Sequence, residues 1–98
     1  MFINIIHSYR DVVAICDKEL LGKKVEDEKF QLDVKESFYK GKQVSEEELL
    51  KIINNLSRED ATFNIVGERS VAIALKVGVI LESGIKEIKG IPFALVLL

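Results

Sequence analysis

The sequence predicts a single α+β domain over residues 1–98, with two helices packed on a mostly antiparallel sheet. Three observations support this fold class. A chain of 98 residues is enough for one domain and too short for two. Two segments carry apolar residues at helical spacing, and the segments around them are short, β-branched runs typical of strands. The expected element order is β-β-β-α-β-α-β-β.

The N-terminal segment predicts a β-hairpin followed by a helical turn. Phe2–His7 and Val12–Cys16 are rich in β-branched residues, and the four residues between them tolerate a turn. Asp17 is a good N-cap and Gly22 a good helix stop, so one helical turn is expected between them.

The middle of the chain predicts one strand and one turn. Phe30, Leu32 and Val34 alternate with polar residues, which is typical of a strand with one solvated face. Residues 38–42 predict a turn around Gly41.

Two helices are predicted from their end signals. Ser45 and Glu48 have the spacing of a capping box, and an apolar stripe runs from Leu49 to Leu56. The second helix is expected over residues 68–77, where Gly78 ends it.

The remaining segments predict strands over residues 62–66, 85–88 and 91–98. The last strand is apolar on both faces, so it is expected to be covered on both sides by its own chain or by a partner. Phe93, Leu95 and Leu97 share one face of this strand and form the expected partner interface.

Composition excludes several classes of site. The net charge of -2 gives no general attraction to nucleic acid or to an anionic membrane. A single cysteine and a single histidine exclude an internal disulfide and the usual multi-residue zinc patterns, so no metal or cofactor is expected. No apolar run spans a bilayer and no leader peptide is recognised, which predicts a cytoplasmic protein with a reduced thiol.

Catalysis by a thiol is the weakest of the functions considered. Cys16 needs a lowered pKa to act as a nucleophile, and His7 is the residue that could pair with it across the hairpin. A buried core cysteine is the simpler interpretation, so no enzymatic activity is expected.

Gly67 and Arg69 stand where a predicted strand passes into a predicted helix. A tight turn that requires a positive φ explains Gly67. The alternative is that the helix N-terminus, with Arg69, contacts an anion or an RNA backbone.

A second candidate for nucleic-acid contact is the predicted turn after Phe38. Tyr39 could stack on a base while Lys40 and Lys42 contact phosphates. Lys23 and Lys24 join that side if the strands pair as a meander. An ordinary solvated turn is the alternative.

Four segments together resemble the archaeal family known as domain of unknown function 424. They are residues 16–23, 38–41, 66–69 and 90–94. The resemblance implies an archaeal source, a small cytoplasmic α+β protein, no established enzymatic activity and a link to translation genes. Phe93 and Leu95 stand where family members carry His and Gln, so a function that depends on that polar pair is in doubt here.

Two functions follow as expectations. The first is a non-enzymatic, translation-associated protein that binds ribosomal or transfer RNA or a ribosomal subunit. The alternative is a protein-interaction or oligomer-forming module that uses the apolar C-terminal strand and binds no RNA.

Overall fold

A six-stranded mixed sheet forms the centre of the computed structural model, which describes residues 1–56 and 60–97. Its strands are β1 (Phe2–Ile6), β2 (Asp11–Cys16), β5 (Lys42–Gln43), β6 (Ala61–Val66), β7 (Lys86–Ile88) and β8 (Ile91–Leu97). Their order in the sheet is β5-β1-β2-β6-β8-β7. Strands β2 and β6 are parallel, and the other neighbours are antiparallel.

The two predicted helices begin and end where the local signals predict. Helix α2 (Glu46–Leu56) opens with the capping box, in which Glu48 N–H donates to Ser45 Oγ at 3.2 Å. Helix α3 (Glu68–Val77) ends at Gly78, whose φ of 87° is the left-handed conformation that glycine tolerates. A short helix α1 (Glu36–Tyr39) precedes β5.

The two faces of the sheet are covered by different elements. Helices α2 and α3 pack on one face, here called the helix face, around Phe63 and Ile65 of β6. A two-stranded hairpin of β3 (Lys24–Glu26) and β4 (Gln31–Asp33) lies over the opposite face with α1. That opposite face is called the hairpin face.

Several features differ from the sequence prediction. The β4 strand has the predicted alternation, but its partner β3 was not predicted, because only Val25 of β3 is apolar. The predicted turn at residues 38–42 is divided between α1 and the two-residue strand β5. A 3-10 turn, Lys18–Leu20, occupies the expected helical turn after β2.

The α+β fold class is confirmed, with three helices on a mostly antiparallel sheet. Among residues 1–56 and 60–97, no helix is long and apolar enough to cross a membrane.

Candidate functional site

Three of the four segments that resemble the family meet at the carboxyl ends of β2 and β6. Asp17 follows β2, Gly67 follows β6, and Pro92 belongs to β8, which pairs with β6. Backbone hydrogen bonds join them, since Asp17 N–H donates to Val66 O at 3.1 Å and Gly67 N–H donates to Pro92 O at 2.8 Å. The shared position is therefore a structural junction of three chain segments.

The buried carboxylate of Asp17 caps helix α3. It accepts hydrogen bonds from Arg69 N–H at 3.0 Å, from Ser70 N–H at 2.8 Å and from Ser70 Oγ–H at 2.7 Å. The prediction that Asp17 caps its own local turn was wrong, because its side chain makes no hydrogen bond there. It supplies a negative charge to a helix N-terminus that begins more than fifty residues later, and the helix dipole favours that charge.

Gly67 makes this contact sterically feasible. Its φ of 109° and ψ of 154° lie in a region that is almost restricted to glycine, so the predicted positive-φ turn is confirmed. A Cβ at this position would lie 2.6 and 2.7 Å from the two carboxylate oxygens of Asp17. The residue type is thus fixed both by backbone conformation and by the close approach of Asp17.

The alternative role of Gly67 and Arg69 as an anion contact is not supported by this geometry. The amide donors of Gly67, Arg69 and Ser70 already bind Pro92 O and the Asp17 carboxylate. The nearby cleft of about 180 Å³ is also lined by the carboxylate side chains of Glu19 and Glu68. Negative charge at its rim opposes a phosphate group.

Cys16 lacks the environment of a catalytic thiol. The side chain is fully buried, and burial, followed by the charge of Asp17, raises its pKa from an ordinary value of 9.0 to about 11. His7 lies at the other end of the hairpin, where Nδ1 is 3.3 Å from Asp11 Oδ1, whereas Cys16 is opposite Phe2. The pairing of His7 with Cys16 that was considered above is therefore wrong.

The state of Cys16 can be tested by alkylation. Because the thiolate is the reactive species, we expect iodoacetamide at pH 8 to label the folded protein far more slowly than the guanidinium-unfolded protein.

The raised pKa of Cys16 also predicts a pH dependence of stability. The contribution of the neutral thiol to the free energy of unfolding is present below about pH 9 and is lost as pH rises toward about 11. Urea midpoints at pH 8 and pH 10.5 should differ less for Cys16→Ala than for wild type. Equal labelling rates for folded and unfolded protein would contradict this account.

Tyr39 is not the exposed ring that the sequence analysis expected. Only 6% of the residue is exposed, and its ring meets Phe38 edge-on at 5.0 Å between centroids. Burial raises the pKa of the phenol to about 12, with smaller effects of Cys16 and Asp33. The ring belongs to the core of the hairpin face, so the prediction that it stacks on a base was wrong.

The basic residues lie in separate places. Lys23 and Lys24 are exposed at the start of the hairpin, Lys40 is exposed just before β5, and Lys42 is exposed on β5. Arg69 lies on the helix side, in a groove of about 530 Å³ that Glu46, Glu47 and Glu68 also line. The structure therefore does not bring Arg69 and the hairpin lysines together on one face.

The C-terminal strand β8 is an inner strand that is covered only in part. Ala94 and Val96 contribute to the core of the helix face. Phe93 is half-buried against Phe30, with ring centroids 6.1 Å apart, so it is less exposed than the other two residues of the expected interface. Leu95 and Leu97 are 64% and 69% exposed.

These two leucines belong to a larger uncovered area of the hairpin face. The strand register places Leu97 beside Thr62, Thr62 beside Val12, and Val12 beside Ile6. Asn64 is the neighbour of Leu95 in the next row. We call this area the open sheet patch; it consists of Ile6, Val12, Thr62, Asn64, Leu95 and Leu97, none of which is charged or fully buried. The alternation of residues along β8 identified the two leucines. The other members could not be identified from the sequence, because their exposure depends on which part of the sheet face the hairpin covers.

The fold and this junction define a small, single-domain α+β protein. The sequence matches the family described as a protein of unknown function (DUF424) over residues 6–98, and the chain belongs to that family. It is similar to an uncharacterized conserved protein from the archaeon Methanopyrus kandleri, known from a crystal structure. The TM-score is 0.86 at 25% identity, and the match covers 98% of this chain and 89% of the other. A comparison with curated proteins gave no match. The family resemblance stated from the four segments is confirmed.

Proposed function

We propose that the protein is a cytoplasmic, non-enzymatic interaction module that docks to a protein surface through the open sheet patch. The observation that carries the proposal is the pair Leu95 and Leu97, exposed by 64% and 69% on the part of β8 that extends beyond its partner β7. A contiguous exposed apolar patch, as opposed to single scattered apolar residues, is a mark of an interaction surface.

The neighbours of these leucines support the same conclusion. Ile6 and Val12 extend the apolar row across β1 and β2, and Thr62 bridges it to Leu97. Residues Ile91–Phe93 of β8 pair with β7, while Leu95 and Leu97 lie beyond that register. Because uncovered apolar strands promote aggregation, a partner that covers this region would also protect the protein.

The residues considered for chemistry have structural roles instead. Asp17 is engaged by the start of α3, and Cys16 is buried with a raised pKa. These two observations support a role without catalysis.

Replacing both leucines by lysine tests the proposal. The variant Leu95→Lys with Leu97→Lys should fold with a melting temperature within a few degrees of wild type, because both side chains are already exposed. Binding of the dye bis-ANS at low micromolar protein should fall by more than half. Leu81→Lys is the matched control, since Leu81 is 73% exposed outside the patch, and it should leave more of the dye binding intact. Unfolding of the double variant, or unchanged dye binding, would overturn the proposal.

A second candidate is RNA or ribosome binding, which the family resemblance suggested. The observation that favours it is the exposure of Lys23, Lys24, Lys40 and Lys42 on the hairpin and beside β5. Tyr39 and Arg69 are not part of this candidate RNA-binding surface, since Tyr39 is buried and Arg69 lies among glutamates.

The RNA candidate predicts salt-dependent binding by the lysines. With two to four phosphate contacts, the slope of log K against log salt should be about -1.5 to -3 for single-stranded RNA. Lys40→Gln with Lys42→Gln should weaken binding several-fold in an anisotropy titration with labelled ribosomal RNA fragments. Lys51→Gln with Lys76→Gln makes the same charge change on the helices and should have little effect. Absence of wild-type binding, or equal loss in both variants, would exclude a specific site at Lys40 and Lys42.

A further inference from the structure

We infer that a groove on the hairpin face binds a nucleobase that carries an exocyclic amino group. The groove lies between β4 and α1 and has a volume of about 370 Å³. It is a different site from the docking surface proposed above, although Asn64 and Leu95 belong to both. Two polar side chains without a partner and one carboxylate determine what the groove binds.

Four side chains of the sheet form the floor of the groove. Val66 of β6 and Phe93 of β8 are paired neighbours that belong to the core of the hairpin face. Asn64 and Leu95, the next pair of this face, lie two residues further along the same strands. Strand β4 and Tyr39 of α1 bound the groove above this floor. The floor is therefore apolar except for one amide.

The hydroxyl of Tyr39 lies in this groove without a protein partner. Only 6% of Tyr39 is exposed, and its hydroxyl makes no hydrogen bond with any residue that the structure describes. Among these residues no fully buried side-chain oxygen or nitrogen lacks a partner, so the hydroxyl must meet open space, and the groove is the space that Tyr39 lines. Because a buried tyrosine hydroxyl usually has a hydrogen-bond partner, this one indicates a ligand or water in the groove.

The side-chain amide of Asn64 is the second polar group without a partner. The residue is half-buried, and within residues 1–56 and 60–97 its amide neither donates nor accepts a hydrogen bond. By contrast, the amide of Asn4 donates to Phe38 O at 2.8 Å. A carboxamide can donate two hydrogen bonds and accept two, so Asn64 offers the groove both kinds of group.

Asp33 supplies the charge of the groove. It is the only charged residue among the described residues that line it. Its Oδ2 atom lies 3.9 Å from Lys35 Nζ, a long ion pair that leaves the carboxylate able to accept further hydrogen bonds. Since a negative charge opposes a phosphate or carboxylate group, the part of the ligand in the groove is neutral or cationic and donates to Asp33.

A base with an exocyclic amino group matches this set of groups. Its amino group donates to a carboxylate, its ring edge can pair with a carboxamide, and its flat faces contact apolar side chains. Uracil has a carbonyl in place of the amino group, and the carboxylate of Asp33 would repel that oxygen. The groove is much larger than the roughly 15 Å³ that one bridging water requires, and its size is at the lower end of the range for small-molecule sites.

Titration with nucleosides, followed by amide NMR spectra, tests the inference. Adenosine and cytidine up to about 5 mM should shift the side-chain amide signals of Asn64 and the backbone amide signals of Asp33 and Leu95. Uridine at the same concentration should not. The base can come from a free nucleoside or from single-stranded RNA, so hexa-adenylate is titrated as well. Tighter binding of hexa-adenylate than of adenosine identifies an RNA chain as the source, and equal affinity per base identifies the nucleoside.

Two substitutions on the walls of the groove make the test specific. Tyr39→Phe should raise the Kd for adenosine at least threefold and leave the melting temperature within about 2 °C of wild type, because the hydroxyl has no protein partner to lose. Tyr9→Phe is its control, since Tyr9 is fully exposed elsewhere. Asp33→Asn should weaken adenosine and permit uridine to bind, because a carboxamide donates to a carbonyl. Asp60→Asn makes the same charge change at an exposed site and should alter neither affinity.

Three results would overturn the inference. They are the absence of shifts with adenosine and cytidine, equal shifts with uridine, and an unchanged Kd in both Tyr39→Phe and Asp33→Asn. A clear fall in the melting temperature of Tyr39→Phe would also contradict it, because the hydroxyl would then have a partner within the protein. Neither substitution changes Leu95 or Leu97, so failure here leaves the docking surface to its own test.

Discussion

Replacing Gly67 by valine is expected to lower the free energy of unfolding by about 3–5 kcal/mol. Two costs combine at this position. A non-glycine residue at a φ of 109° is strained by about 1–3 kcal/mol. A Cβ 2.6 Å from the Asp17 carboxylate forces that buried, hydrogen-bonded group to move, which adds a comparable energetic cost. In a domain of this size each kcal/mol lowers the melting temperature by about 4–8 °C.

Two other glycines separate these costs in urea unfolding. Gly78 has a φ of 87° but open space around its Cβ position, so Gly78→Ala measures the cost of a left-handed residue without a clash, about 1–2 kcal/mol, which is a lower bound on the backbone strain at Gly67. Gly84 has open space and no positive φ, so Gly84→Ala should change stability by less than about 1 kcal/mol. If Gly67→Ala costs no more than Gly78→Ala, the contact with Asp17 adds nothing and the steric part of the argument fails.

Truncating Asp17 to alanine should cost about 3 kcal/mol. The change removes the acceptor of three hydrogen bonds and leaves the buried hydroxyl and amide of Ser70 without their partner. A buried donor left unpaired costs about 1–3 kcal/mol, and a lost helix cap about 0.5–2 kcal/mol. The amides of Arg69 and Ser70 should also exchange with solvent at least tenfold faster.

The matched control for Asp17 is Asp60→Ala, because Asp60 has an 86% exposed side chain and its ion pair with Arg10 is long, at 3.9 Å. It should change stability by less than about 0.5 kcal/mol. A double-mutant cycle adds a sharper test. Gly67→Ala should cost less in the Asp17→Ala background, because the atoms that clash with the new Cβ are gone. Strict additivity would show that the two residues do not restrict each other.

Local signals predicted the elements whose determinants lie within a few residues. The box of Ser45 and Glu48 fixed the start of α2, and Gly78 fixed the end of α3. The tight turn at Gly67 was predicted because the strand and the helix that it joins are adjacent in sequence. The β1–β2 hairpin was predicted for the same reason.

Contacts between distant segments were not predictable in the same way. The cap residue Asp17 was assigned to the nearest helical turn, because nothing near it in the sequence indicates a contact with the helix that starts after Gly67. Tyr39 was expected to be exposed because it neighbours lysines, yet α1 turns its ring into the core. The parallel pairing of β2 with β6 has no signature within either strand.

That parallel pairing has a consequence for how the chain folds. Asp11 pairs with Ala61 and Cys16 with Val66, so β2 completes its ladder only after about fifty further residues have been synthesised. Until then the N-terminal hairpin has one unsatisfied edge, which is a site for wrong pairing in a nascent chain. Because the central pairs are so non-local, folding should be slower than that of a helical domain of equal length. The order in which the strands emerge thus limits how early the sheet can form. Because β6 lies between β2 and β8, the two halves of the sheet join only after β6 has been synthesised.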